Sequence, residues 1–101
     1  GGEMVSLTEI EGLAKQIWSD SDHAAISVND NDNLETVVLF TTRKKPDKKD
    51  FMEKAKETNS SNLIIPKKIK YINEIPLFGS GKTDYQQLVE IINKQTENAG
   101  Q

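Results

Sequence analysis

The feature that most constrains this sequence is an unbroken apolar run, Val37–Phe40, inside a β-branched stretch from 34 to 42. Successive side chains of a strand point to opposite faces of a sheet, so a continuous run predicts a strand buried on both faces. Apolar residues alternate with smaller ones between residues 24 and 28, which predicts a second strand. The asparagine–aspartate segment 29–33 between the two is a turn signal, and the two strands are predicted to form a hairpin.

Helical spacing of apolar residues predicts helices around these strands. The first covers about residues 7–18, starts with Ser6 and Glu9 in the spacing of a capping box, and ends at Trp18, which is assigned to the core. The second opens at Pro46–Asp47 and ends in the polar segment after residue 58. Its inner face is assigned to Phe51, Met52 and Ala55.

A third strand is predicted for residues 67–73, with Ile69 and Tyr71 on one face and Lys68 and Lys70 on the other. A last helix follows, capped by Thr83 or Asp84, with apolar residues repeating at helical spacing at Tyr85, Leu88, Ile91 and Ile92.

These elements predict an α+β fold: a small three-stranded, mainly antiparallel sheet with about three helices packed beside it and a short N-terminal hairpin stub. Residues 1–94 are assigned to one domain, and the polar tail 95–101 is expected to fray.

Length and composition narrow the classes of function. A chain of 101 residues builds one domain with a modest core, which is short for a self-contained enzyme that uses nucleotides, so a module of a larger protein is expected. The absence of cysteine excludes disulfide scaffolds and thiol chemistry, and the single His23 excludes a multi-histidine metal site. No apolar run is long enough to span a membrane and no signal pattern opens the chain, so a cytosolic setting is expected.

The net charge of −3 hides an asymmetry along the chain. Residues 1–42 carry −7 and residues 43–84 carry +5. The basic residues are either a solvated surface or a patch for an acidic partner, and nucleic acid is disfavoured because the chain is acidic overall and has no recognition motif. They form two clusters: Arg43, Lys44, Lys45, Lys48 and Lys49, then Lys67, Lys68 and Lys70.

The loop Gly79-Ser80-Gly81-Lys82-Thr83 resembles a phosphate-binding P-loop only superficially. The P-loop pattern requires glycine five positions before its second glycine, and this chain has Pro76 there, which removes an amide donor. The glycines still permit backbone conformations closed to other residues. Lys82, where the loop meets a helix, is either a solvated lysine or a cation on a long stem that reaches a neighbouring site.

Three groups of motifs lie along nearly the whole chain: Gly2-Glu3-Met4-Val5-Ser6 with Glu9-Ile10-Glu11, then Ile65-Pro66-Lys67-Lys68-Ile69, then Ile75-Pro76-Leu77 with Gly81-Lys82-x-Asp84. In this order and spacing they resemble the C-terminal domain of the adenylate-forming superfamily, which includes acyl-CoA synthetases, luciferases and peptide-synthetase adenylation domains. Within it, the chain is most similar to bifunctional enzymes that pass a fatty acid to acyl carrier protein and then to a lysophospholipid.

The resemblance implies a ligase that uses ATP and Mg²⁺ to make an acyl-adenylate and then transfers the acyl group to a thiol. The small domain would rotate against an N-terminal adenylation domain between the two steps. Lys82, supported by Gly79, Ser80 and Gly81, would enter the site for the first step. The segment Gly1-Gly2-Glu3 would line the thiol route in the second.

The resemblance also implies acyl carrier protein as a partner, docked through Lys67, Lys68 and Lys70, and a parent enzyme at the cytoplasmic face of the bacterial inner membrane. The hinge residue would lie just before Gly1, so the chain is expected to be an excised domain that is inactive alone. The chain departs from the family near Tyr85, where arginine is usual. The alternative function is a non-catalytic binding module for an acidic protein.

Overall fold

A computed structural model describes residues 7–29, 31–58 and 65–99, with side chains as far as Gln95 in the last range. The elements follow the order α1 (Leu7–Ile17), β1 (His23–Asn29), β2 (Glu35–Thr41), α2 (Lys48–Glu57), β3 (Lys68–Tyr71) and α3 (Tyr85–Ala99). The predicted hairpin stub and the Ser6 half of the capping box lie outside the described residues. Among those described, no helix is long and apolar enough to cross a bilayer.

The sheet has the order β1-β2-β3 and confirms the predicted α+β fold. β1 and β2 form the predicted antiparallel hairpin, in a register that pairs His23 with Thr41 and Asn29 with Glu35. β3 runs parallel to β2 over a shorter stretch, from the pair Val38 and Lys68 to the pair Thr41 and Tyr71. A parallel neighbour needs a crossover connection, and α2 provides it.

The central strand β2 is buried on both faces, as its apolar run predicts. Val37 and Leu39 point into one core layer, where they meet α1 and α2. Val38 and Phe40 point into the other, where they meet Leu88 and Ile92 of α3. The alternation of strand side chains therefore divides the core into two layers, one on each face of the sheet. Trp18 lies in the first layer, as expected, and is 6% exposed.

Met52 differs from its predicted placement, and Tyr71 lies on its predicted strand face but is exposed. Met52 was assigned to the inner face of α2 but is 38% exposed, because each residue turns about 100° around a helix axis and only Phe51 and Ala55 face the sheet. Tyr71 shares a strand face with Ile69 but is 45% exposed, since it ends β3 at the open edge of the sheet. β3 itself covers Lys68–Tyr71, a shorter stretch than the predicted 67–73.

Aspartate side chains cap the later helices. The carboxylate of Asp47 accepts a hydrogen bond from the Lys49 amide at 2.8 Å and starts α2. Asp84, rather than Thr83, caps α3, because its carboxylate accepts from the Gln87 amide at 3.2 Å. α3 then continues to Ala99, so the helix includes much of the tail expected to fray from residue 95.

Candidate functional site

The loop that carries Lys82 is a short hairpin closed at its base. Leu77 and Thr83 form an antiparallel bridge, and the amide of Asp84 donates to the carbonyl of Pro76 at 2.9 Å. Nearer the tip, the Phe78 amide donates to the Lys82 carbonyl at 2.8 Å. These backbone bonds hold both arms of the hairpin, so the backbone of Lys82 lies on an ordered turn next to the start of α3.

The Lys82 side chain is exposed at this turn. Its ammonium group forms no hydrogen bond or ion pair with any residue that the structure describes. A compact cation on a flexible four-carbon stem is thereby presented to whatever approaches the hairpin.

The two glycines of the turn have different roles. Gly81 has φ of +92°, a left-handed conformation that side-chain-bearing residues rarely adopt, and its amide donates to the Phe78 carbonyl at 2.9 Å. Gly79 has no positive φ, and an added Cβ would meet nothing within 4 Å. Of the two glycines expected to permit such conformations, only Gly81 adopts one. Ser80 lies between them, exposed at the tip.

A polar link anchors the helix that follows the hairpin. The hydroxyl of Tyr85 donates to Oε2 of Glu11 at 2.8 Å, and the same oxygen accepts the Ala25 amide at 2.9 Å. Partial burial and the hydrogen bond to Glu11 raise the pKa of Tyr85, so the hydroxyl stays a donor at neutral pH. Three elements, α1, β1 and α3, thus meet at one carboxylate oxygen.

Sequence reasoning missed this link. Tyr85 was counted with the apolar repeat of the last helix, but it is 43% exposed and turns toward α1 instead of joining Leu88 in the core. Glu11 and Tyr85 are separated by 74 positions, and nothing in local spacing relates them. The one available signal was that the resembled family usually has arginine near Tyr85, a residue type that also donates to carboxylates.

A surface pocket of about 590 Å³ lies between α1 and the hairpin. Its walls include Glu11 and Lys15 from α1, His23 from β1, and Gly81 and Thr83 from the hairpin. No group of three or more His, Cys, Asp or Glu in the described ranges is arranged to hold a metal ion. Acidic, basic and hydroxyl side chains thus lie together along the pocket.

His23 is held as a structural side chain at the pocket wall. Its Nε2 lies 3.0 Å from the Trp18 carbonyl, which only accepts, so Nε2 carries the proton. Burial lowers the pKa of His23, which favours the neutral ring. Its Nδ1 is buried and has no hydrogen-bond partner within the described part of the chain.

Three large apolar side chains close to Lys82 in the chain are exposed. Leu77 is 59% exposed and Phe78 is 53% exposed, and both precede the glycines. Tyr85, three positions after Lys82, is 43% exposed. Exposed large apolar side chains that form a contiguous patch are typical of a surface that another protein covers.

The two basic clusters touch in the folded chain. The ammonium of Lys48 donates to the carbonyl of Lys67 at 3.2 Å, and Lys67 and Lys68 are both exposed. We call these three residues the basic patch. Lys70 shares a face of β3 with Lys68, and its ammonium donates to Oε1 of Gln95 on α3 at 2.8 Å. The Lys70 ammonium is therefore engaged within the domain, unlike what was predicted for a docking residue.

The segment Gly1-Gly2-Glu3, predicted to line the thiol route, lies outside the described residues. Lys82, Gly79, Ser80 and Gly81 lie together on the hairpin, as their adjacency in sequence requires.

Solved structures contain the same fold. The fatty acyl CoA synthetase of Mycobacterium tuberculosis matches 89% of this chain with 18% of its own, at a TM-score of 0.74 and 23% identity. An acyl-CoA synthetase from Brucella canis matches 93% of this chain with 18% of its own length, at a TM-score of 0.73 and 20% identity. An ATP-bound RpMatB-BxBclM chimera matches 90% of this chain with 19% of its own length, at a TM-score of 0.73 and 23% identity.

No family model matches the sequence. At this level of identity the structural likeness establishes the fold alone, and the chain spans under a fifth of the length of these three structures. The chain therefore has a fold that occurs as part of solved acyl-CoA synthetases.

Proposed function

We propose that this chain is the mobile C-terminal domain of an ATP-dependent acyl-activating ligase and that Lys82 is its catalytic residue. The observation that carries the proposal is the exposed Lys82 ammonium on a hairpin closed at its base, within a fold that solved acyl-CoA synthetases contain. An ATP-bound structure among those with this fold supports ATP as the nucleotide.

In the first step a carboxylate oxygen of the fatty acid attacks the α-phosphorus of ATP. The bond from that phosphorus to the bridging oxygen breaks, and pyrophosphate leaves with the electron pair. The two reactants are both anions and repel each other, so a cation placed between them both aligns them and offsets the charge that develops. Lys82 is suited to this role because its charge is compact and its stem is long.

In the second step a thiol sulfur attacks the acyl carbon of the acyl-adenylate. The thiol loses its proton, a thioester forms, and AMP leaves. We propose that Gly1-Gly2-Glu3 lines the route of that thiol after the domain has rotated. The exposed Leu77, Phe78 and Tyr85 support a surface that docks against an N-terminal adenylation domain when Lys82 is in the site.

For the identity of the thiol, we propose more specifically that it belongs to acyl carrier protein. The parent enzyme would then recycle phospholipid acyl chains at the cytoplasmic face of the inner membrane. Acyl carrier protein is acidic, and complementary charge raises encounter rates and orients partners. We assign its docking to the basic patch, with Lys70 now a weaker candidate because its ammonium is hydrogen bonded to Gln95.

This chain by itself is expected to release no pyrophosphate from ATP and a fatty acid, because a single lysine on a small domain supplies no nucleotide-binding pocket. A pyrophosphate-release assay on the purified chain measures this. Turnover by the purified chain would contradict the assignment of a shared active site.

Reversing the charge of the basic patch with Lys67→Glu and Lys68→Glu together is expected to raise the Michaelis constant for acyl carrier protein in the parent ligase about tenfold at low salt. The difference should shrink as salt is added, since salt screens the attraction. Lys94→Glu is the matched control, because Lys94 is an exposed lysine on α3 outside the patch.

An unchanged Michaelis constant for the double variant would reject the docking role. The alternative function, a binding module for an acidic protein, is favoured if the double variant loses an acidic partner while Lys82→Ala leaves ligase activity intact.

A further inference from the structure

We infer that the hydrogen bond between Tyr85 and Glu11 positions Lys82 for acyl-adenylate formation. The inference rests on the proposed function and adds two positioning residues to it. Neither residue contacts the substrates in the proposed reaction. They act by holding the backbone from which Lys82 reaches out.

The Glu11 end of the link is anchored in the core. Glu11 follows Ile10, which is 0% exposed, on the helix that covers the first core layer. Its Oε2 also accepts the amide of Ala25, a residue of β1 that is 0% exposed. The carboxylate is thus tied to the sheet independently of Tyr85 and provides a stationary acceptor.

The Tyr85 end lies next to the catalytic turn. Tyr85 is the first residue of α3 and follows the capping residue Asp84, whose own amide closes the hairpin on Pro76 at 2.9 Å. Lys82 is three positions before Tyr85 in the chain. The hydrogen bond of 2.8 Å from the Tyr85 hydroxyl to Glu11 therefore restrains the arm of the hairpin that carries Lys82, at the end where it joins α3.

The link is needed because the rest of the turn has little packing. Leu77 and Phe78 are more than half exposed, and Gly79 has open space around it. Backbone hydrogen bonds define the shape of the hairpin and Ile75, 7% exposed, anchors its base in the second core layer, whereas the bond between Tyr85 and Glu11 ties the start of α3 to α1. Reaction rates respond steeply to alignment, so a small tilt of the turn is enough to lower the rate of the first step.

Glu11 also faces the pocket that Gly81 and Thr83 line. A carboxylate at this place attracts nearby cations, and Lys82 is the ammonium carried by the same turn. The two hydrogen bonds from Tyr85 and Ala25 satisfy Glu11 Oε2 within the domain.

Tyr85→Phe in the parent ligase removes the hydroxyl and keeps the ring. We expect acyl-adenylate formation to slow about tenfold through kcat. Thioester formation from acyl-adenylate supplied to the enzyme should be unchanged, because Lys82 is not used in that step. In a Lys82→Ala background, Tyr85→Phe should cause no further loss.

Three variants complete the test. Glu11→Ala should reproduce the loss in the first step, and Glu11→Gln should restore most of it, because the amide oxygen still accepts hydrogen bonds. Tyr71→Phe is the matched control, since the Tyr71 hydroxyl is exposed and bonds only Asn73 at 3.4 Å among the described residues. Thermal unfolding of each variant shows whether any loss reflects stability.

The outcomes separate this inference from the proposed function. If Lys82→Ala spares acyl-adenylate formation, the proposed function fails and this inference fails with it. If Lys82→Ala abolishes that step while Tyr85→Phe does not slow it, only the positioning role is overturned. An equal loss in both half-reactions with Tyr85→Phe also overturns it, because that pattern reports a general structural defect.

Discussion

Replacing Lys82 by alanine is expected to slow acyl-adenylate formation in the parent ligase by about 10²–10³-fold, the typical effect of removing one preorganised charge-stabilising group. The loss should appear in kcat, because the cation stabilises charge that grows between carboxylate and phosphate in the transition state. Pyrophosphate release in a single turnover measures this step. Thioester formation from supplied acyl-adenylate should stay close to the wild-type rate.

Lys94→Ala is the matched control for this prediction, because Lys94 is an exposed lysine of α3 whose loss removes the same charge elsewhere. Lys82→Arg tests geometry, since arginine keeps the charge and carries it on a wider planar group that does not substitute for a point charge. An equal loss in both half-reactions of Lys82→Ala would refute the assignment to the first step.

Replacing Phe40 by alanine is expected to lower the free energy of unfolding of this chain by about 3–5 kcal/mol. Phe40 is 1% exposed and lies on the central strand against α3, so its removal leaves a cavity that the sheet and helix close only partly. Urea denaturation of the full chain, followed by the fluorescence of Trp18, measures the change.

Phe78→Ala is the matched control, because it deletes the same side chain from an exposed position on the hairpin. A surface substitution of this kind is expected to change the free energy of unfolding by less than about 0.5 kcal/mol. If the two variants lost similar stability, the two-layer core with Phe40 at its centre would be contradicted. Comparing the two variants also distinguishes a phenylalanine that stabilises the fold from one that belongs to the proposed docking surface.

Local patterns predicted the elements of this fold well. The run Val37–Phe40 specified a strand with two buried faces, because strand alternation leaves such a run no solvated side. The turn signal after β1 predicted the hairpin, and helical spacing placed α1 and α2 within a residue or two of their observed ends. The predicted orientation of Met52 was wrong, because a short helix presents only a narrow stripe of side chains to the sheet.

The candidate site was predicted in part. The local pattern around Gly81-Lys82 left a solvated lysine and a functional cation both open, and only the resemblance favoured the second. The hairpin carries both residues at an exposed turn. The distinct behaviour of Gly79 was not predictable, since the residue type alone does not reveal its φ. Likewise, the two lysines of β3 were expected to act as one group and do share a strand face, but the hydrogen bond between the Lys70 ammonium and Gln95 of α3 was not predictable from local spacing.

The amino-acid order alone determined the elements, the doubly buried central strand and the residue that projects from the last turn, because each of these depends on spacing over a few positions. Only the tertiary structure decided which distant groups meet. Packing of α1 and α3 around β1 brings Tyr85 and Ala25 to one oxygen of Glu11, and the β2–α2–β3 crossover brings Lys48 to Lys67. These contacts depend on how whole helices and strands pack together, and no local sequence pattern encodes that packing.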